Sequence, residues 1–152
     1  MIKNNDFLKV LTFMSVGALG YGSMEILARG FTHISMGLLG GLCFCFIGFT
    51  GILRRQGRLT LMQQLLTATF FITTSELLCG LITNLIMGLN VWDYSEVPLN
   101  YKGQICLPFS ALWFAISYFA TLTDSWIRRN IFREGRTLID NKYMPEREPQ
   151  QV

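Results

Sequence analysis

Charge is scarce in this chain: Asp, Glu, Lys and Arg make up 15% of its 152 residues, against 51% for the apolar set, and the mean hydropathy is +0.36. A soluble domain of this length needs a polar coat that such a composition does not supply, which excludes most soluble-enzyme classes. Histidine is almost missing. His33 stands alone, with no H-x-x-x-H or H-E-x-x-H spacing, so an intramembrane metalloenzyme would have to use His33 with Glu25, Glu76 and Asp93. No enzyme activity, metal or cofactor is therefore expected. A G-x-x-x-x-G-K-[ST] phosphate loop is also lacking, so any ATP hydrolysis of that kind must come from a separate chain. The four cysteines, Cys43, Cys45, Cys79 and Cys106, match no disulfide, metal or redox spacing and read as free thiols. No A-x-A site follows the first apolar run, which reads as a retained segment rather than a cleaved signal.

What the sequence has instead is long apolar runs. Four stand out, over residues 10–28, 34–53, 65–91 and 105–127. Each is close to or above the roughly 20 residues that cross a hydrocarbon core, and all should be helices, because helices satisfy their backbone groups internally in lipid. The expected fold class is thus an all-α integral membrane protein with four transmembrane helices over residues 1–127 and a basic tail over 128–152. Of the 13 basic residues, all but Arg29 and Lys102 fall before the first run, between the second and third, or after the fourth. By the positive-inside rule both termini and the Arg54 to Arg58 loop are cytoplasmic, and the Arg29 to His33 turn and the Trp92 to Gln104 loop face outward. The formal charge of +3 comes mainly from the tail, which suits anionic lipid headgroups rather than nucleic acid. Ile127 and Ile131 among arginines predict a helix continuing along the interface over Trp126 to Ile139, and Pro145 to Val152 reads as a polar, disordered end.

Gly37 and Gly41 form a G-x-x-x-G pair, with Gly40, Gly48 and Gly51 nearby, and the first run carries Gly17, Gly20 and Gly22. Such notches serve either close packing within one bundle or an oligomer face. The third run, at 27 residues, is about 40 Å long as a straight helix, longer than a core of about 30 Å. Protrusion is expected, with loosening near Asn84, Gly88 and Asn90. Pro108 marks the start of the fourth helix.

Few polar residues remain to carry function. Glu76 lies mid-run, and its helix face carries Thr73, Cys79, Gly80, Thr83 and Asn84. It is either a protonated acid hydrogen-bonded inside the bundle or a proton- or cation-binding site. Glu25, Arg29 and His33 recur every four residues, so they share a face if the first helix passes Gly30. They form either an interfacial Glu25–Arg29 pair with a solvated His33, or, together with Glu76, Asn84 and Asp93, an outward-facing polar pocket for a substrate or ion. Asp124 and Arg128 read as a local ion pair. In the outer loop, Trp92, Tyr94 and Tyr101 suit the headgroup belt and Asn100 to Gly103 has turn chemistry. Asp93 either caps the Ser95 backbone N–H or lines the pocket mouth.

Glu76-Leu77, Gly80 and Asn84, then Val91-Trp92-Asp93-Tyr94-Ser95, Pro98, Asn100, Gly103-Gln104-Ile105-Cys106-Leu107, Ser110 and Trp113 resemble the ABC-transporter type IV, or CmpB-like, membrane family. Glu25, Arg29-Gly30, Thr32-His33, Ser35-Met36, Gly40-Gly41 and Cys43-Phe44 are similar to its bacterial branch, with Ala28 where other branches carry N-R-G. The resemblance implies a permease-like or transporter-associated protein of the bacterial cell membrane. It would work with membrane lipids, a second copy or another membrane subunit, and a separate ATPase. The competing class is a non-transporting scaffold or assembly factor that binds partner proteins or lipids.

Overall fold

A computed structural model describes residues 6–134. Lys3, the end from Pro145 to Val152, and the expected interfacial helix beyond residue 134 lie outside the described residues. The described chain is mainly helical. Helix α1 spans Asp6–Arg29, α2 Ile34–Arg55, α3 Leu61–Gly80 and α4 Leu107–Asn130. They run antiparallel in succession, so the α1–α2 turn and the long α3–α4 loop share one end of the molecule, the loop end. Asp6, the α2–α3 turn and Asn130 share the other, the terminal end.

Local chemistry sets most boundaries. Asp6 and Arg29 sit at the α1 ends where the helix dipole favours their charges, and Gly30, at φ 81°, takes the left-handed conformation that stops the helix. His33 then caps α2 by accepting the Ser35 N–H. Gly30 thus breaks the face on which Glu25, Arg29 and His33 would have aligned. A capping box starts α3: Thr60 Oγ1 accepts the Gln63 N–H at 3.2 Å, and Gln63 Oε1 accepts the Thr60 N–H at 2.9 Å. Pro108 falls in the first turn of α4, where a missing N–H leaves nothing unpaired.

The third apolar run does not stay α-helical to residue 91. From Leu81–Ile86 it widens into a π-helical turn, and Gly88 and Asn90 then turn the chain through positive φ values of 67° and 48°. At the other limit of the loop, Ile105–Cys106 is not yet helix. It pairs antiparallel with Asn100–Tyr101 across the three-residue loop 102–104, in which Lys102 and Gly103 both have positive φ and the Gln104 N–H donates to the Tyr101 carbonyl at 3.0 Å.

Helix α2 is the centre of the bundle. One face meets α1 through glycines: a Cβ on Gly17 would overlap the Gly40 carbonyl oxygen, and one on Gly41 would lie 2.8 Å from the Met14 oxygen. This seam uses the glycine notches for packing within the chain. Its other side meets α3 and α4. Only a narrow strip of α1 is buried, Phe13, Gly17, Tyr21 and Glu25 at four-residue steps with Gly22 beside it, while Leu19 and Leu27 are exposed at 71% and 87%. Apolar side chains exposed in such number on helices of this length are what lipid, not water, tolerates.

Three helical stretches, Asp6–Arg29, Ile34–Arg55 and Leu61–Ile86, are long and apolar enough to cross a membrane. Helix α4 is long enough but less apolar, because its inward face carries Trp113, Ser117, Thr121, Asp124, Ser125 and Arg128, all buried against the bundle.

Candidate functional site

The α3–α4 loop is folded onto the bundle by a polar lock built from Asn84. Its Oδ1 accepts the Val91 N–H at 2.6 Å, and its Nδ2 donates to the Trp92 carbonyl at 3.0 Å and to Gln104 Oε1 at 2.8 Å. Trp92 Nε1 donates to the Gln104 carbonyl at 2.9 Å. The widened π-helical turn is what presents Asn84 to this loop. Asn84 thus holds this loop, which lies over the bundle as a lid.

Under that lid lies Glu76, 1% exposed. Tyr94 Oη is 3.0 Å from Oε1, and Trp113 Nε1 donates to Oε2 at 3.0 Å. The indole can only donate, whereas the phenol can donate or accept. Both protonation states of Glu76 fit the same positions: the carboxylate accepts from both partners, and the acid donates from Oε1 to Tyr94. No Lys, Arg or His side chain among the described residues forms an ion pair with Glu76.

Glu25 and Arg29 are close by on α1. They form an ion pair, Thr32 Oγ1 donates to Glu25 Oε2 at 2.5 Å, and Arg29 Nη1 donates to the Val91 carbonyl at 2.5 Å. Arg29 thereby ties α1 to the loop. A cavity of about 330 Å³ opens beside these residues, lined by Glu25 and Arg29, by Trp92 and Tyr94 of the loop, and by Tyr21 and Trp113 among others. Two ring stacks wall it, Tyr21 on Trp113 with centroids 5.3 Å apart and Tyr94 on Phe109 at 4.7 Å. Glu76 sits behind this wall, reached through Tyr94 and Trp113.

His33 and Asp93 do not join them. His33 Nδ1 lies 2.7 Å from Ser35 Oγ at the α2 cap. Asp93 is exposed and accepts the Ser95 N–H at 2.8 Å and the Ser95 hydroxyl at 2.5 Å. Those bonds, the hydroxyl first, hold its carboxyl below the usual carboxylate range. Asn100 braces the same loop, donating to the Ser95 and Val97 carbonyls at 3.1 and 2.8 Å and accepting the Gly103 N–H. Among the described residues no group of three or more His, Cys, Asp and Glu side chains is placed to hold a metal ion.

Several contributors escaped the sequence reading as site residues. Tyr21 carries no local signal, and Trp113 and Gln104 enter the sequence analysis only through the family resemblance. Gln64 lies at four-residue steps from Ala68, Ile72, Glu76 and Gly80, a buried line that the sequence displays, but it fell just outside the expected span.

A second polar cluster occupies the terminal end. Arg128 Nε donates to Asp124 Oδ1 at 2.9 Å, Arg128 Nη1 to Glu134 Oε2 at 3.0 Å, and Arg128 Nη2 to the Gly48 carbonyl at 3.3 Å. Lys9 reaches Glu134 at 2.7 Å, and the Arg128 guanidinium lies 4.7 Å from the Phe13 ring centroid. Burial alone would raise the Glu134 carboxyl, but the bonds from Lys9 and Arg128 keep it below the ordinary range. The local Asp124–Arg128 pair is thus one edge of a network joining α1, α2, α4 and the segment after α4.

Helices long and apolar enough to cross a membrane, with large apolar side chains exposed along them, define a membrane protein. The chain belongs to the family described as Putative ABC-transporter type IV, whose model matches residues 11–139, and it is accordingly a transporter-related membrane protein. No curated protein and no solved structure matches it.

Proposed function

We propose that the chain is a permease-like, multi-pass subunit of a transport system in the bacterial cell membrane, with the cavity at the loop end as its solute or ion site. The observation that carries this reading is Glu76, an acid without a basic partner among the described residues, held by a phenol and an indole next to an open cavity. An acid inside a membrane protein costs a few kcal/mol unless it is protonated, paired or wetted, which favours a working role over a merely structural one. Helix α4 serves as the fourth span, its polar residues turned inward, and both termini lie on the cytoplasmic side, as the distribution of basic residues favours. Glu25 and Arg29 hold the mouth, Asn84 and Asn100 hold the lid, and the chain performs no covalent chemistry of its own. Energy comes from the proton gradient, and a second copy of the chain completes the path.

The test is proton flux in proteoliposomes with entrapped pyranine under an imposed potential. The wild-type chain should carry protons, and Glu76→Gln should reduce the rate at least tenfold while the protein remains folded. Absence of flux in the wild type, or equal flux in the variant, overturns the reading.

A further inference from the structure

The cavity beside Glu76 does not end at Trp113. A second space of about 350 Å³ adjoins it between α1 and α4, and the two share Tyr21, Met24, Trp113 and Ile116 as lining residues. The two spaces differ in chemistry. The first has ring walls and the charged pair Glu25–Arg29; the second is lined almost wholly by apolar side chains and glycines, such as Phe44, Phe119 and Gly20, where a Cβ would meet nothing within 4 Å. Each lies within the size range of small-molecule sites, roughly 300–1,000 Å³.

Resting on the transport reading above, we infer that this pair of spaces takes an amphipathic organic cation, its ammonium head among the rings of the outer chamber and its apolar chain in the inner one. Charge decides the head. Arg29 is matched by Glu25 and by the Val91 carbonyl, and its guanidinium lies 4.9 Å from the Phe31 ring centroid, so it has little left for an anion. Glu76 has no such match, and an ionised Glu76 leaves the set Glu25, Arg29 and Glu76 with one excess negative charge. The ring donors strengthen this. When Tyr94 and Trp113 donate to a carboxylate, electron density shifts onto their rings, and their faces become better partners for a cation. Ring faces accept an alkylated ammonium without the hydration that a small metal ion would have to shed. The apolar chain follows from the shared lining, which leads from the rings straight into the second space.

The same chemistry could arrive from the bilayer, as an aminolipid, or from solution, as a soluble amphiphile. The test uses the full chain in nanodiscs of pure phosphatidylglycerol with ¹⁵N-labelled tryptophan, titrated separately with octyltrimethylammonium, octanol and octyl sulfate. The indole signals of Trp92 and Trp113 report the outer chamber, and that of exposed Trp126 controls for general partitioning. The cation should shift Trp92 and Trp113 saturably at concentrations at least tenfold below the alcohol, with the sulfate weakest, and Trp126 should stay fixed. Glu76→Gln should remove most of the cation's advantage; the comparison of the three heads on the wild type holds whether or not that variant folds. Adding phosphatidylethanolamine to the nanodiscs identifies the source: competition with the probe means a lipid, and no competition a soluble amphiphile. Equal shifts from all three probes overturn the cation preference but leave an open cavity, and the transport reading with it. If no probe reaches Trp92 and Trp113, the cavity is closed and both fall.

Discussion

At the terminal end of the bundle Asp124, Arg128, Glu134 and Lys9 answer one another in a chain of opposite charges, whereas at the loop end Glu76 is answered only by a phenol and an indole. Both clusters sit among apolar helices. A buried charge whose partner is fixed cannot readily change state without undoing the fold, while one held by neutral donors can lose or gain a proton in place. The terminal cluster therefore acts as a clasp, whereas the partners of Glu76 fit either of its protonation states.

That contrast can be broken most severely at Arg128. Removing it as Arg128→Met leaves Asp124 buried without its partner and should destabilise the protein by about 3–5 kcal/mol. The drop would appear in thermal unfolding in detergent, and adding Asp124→Asn should recover a large part of it. Glu76→Leu should cost less, about 1–3 kcal/mol, because it orphans two neutral donors rather than a charge. Glu76→Gln should cost about 1 kcal/mol or less in the same assay, since an amide can accept from Trp113 and donate to Tyr94. If Glu76→Gln proves as damaging as Arg128→Met, the two clusters do not differ in kind.

The seam between α1 and α2 offers a control on packing. Gly17→Ala should lower stability by about 1–3 kcal/mol, its Cβ meeting the Gly40 carbonyl and Phe44. Gly20→Ala, which enters open space on the same helix, should be neutral or stabilising by a few tenths of a kcal/mol up to about 1. Equal effects at the two sites would mean that the seam is not close-packed.

The smallest effect is expected at exposed Asp93. Because its folded carboxyl titrates below the ordinary Asp value of about 3.9, its contribution to loop order is complete above that pH. It fades as the pH falls through the lower folded value. Amide exchange at Ser95 should accelerate only in that acid range, and acceleration at neutral pH would show that the turn does not depend on the carboxylate.

How much of this was legible beforehand varies with the kind of interaction. Helices α1 and α2 follow from apolar length, capping and glycine placement, all local signals, and their limits fall within a few residues of expectation. The end of α3 does not follow so simply. Asn84, Gly88 and Asn90 mark a weak region, but whether it frays, protrudes or forms a π turn depends on the loop that Asn84 must reach. For the site, Glu76, Glu25 and Arg29 stood out as charges in apolar surroundings. Tyr94 and Trp113 did not stand out as their partners, because aromatic residues in a membrane sequence ordinarily need no explanation. His33 and Asp93 attracted attention as rare residue types, but each is consumed by a local cap. The inward polar face of α4 is also the reason that this helix looks less like a span than the other three.

Lys9 lies on α1, which a ribosome delivers to the membrane before α4, and Glu134 follows α4. Their contact therefore cannot form until the whole bundle has been synthesised and inserted, and a chain stopped within α4 would leave Lys9 without Glu134 and Gly48 without Arg128. The clasp thus ties the first described helix to the segment after α4, so closing the bundle at its terminal end requires all four helices.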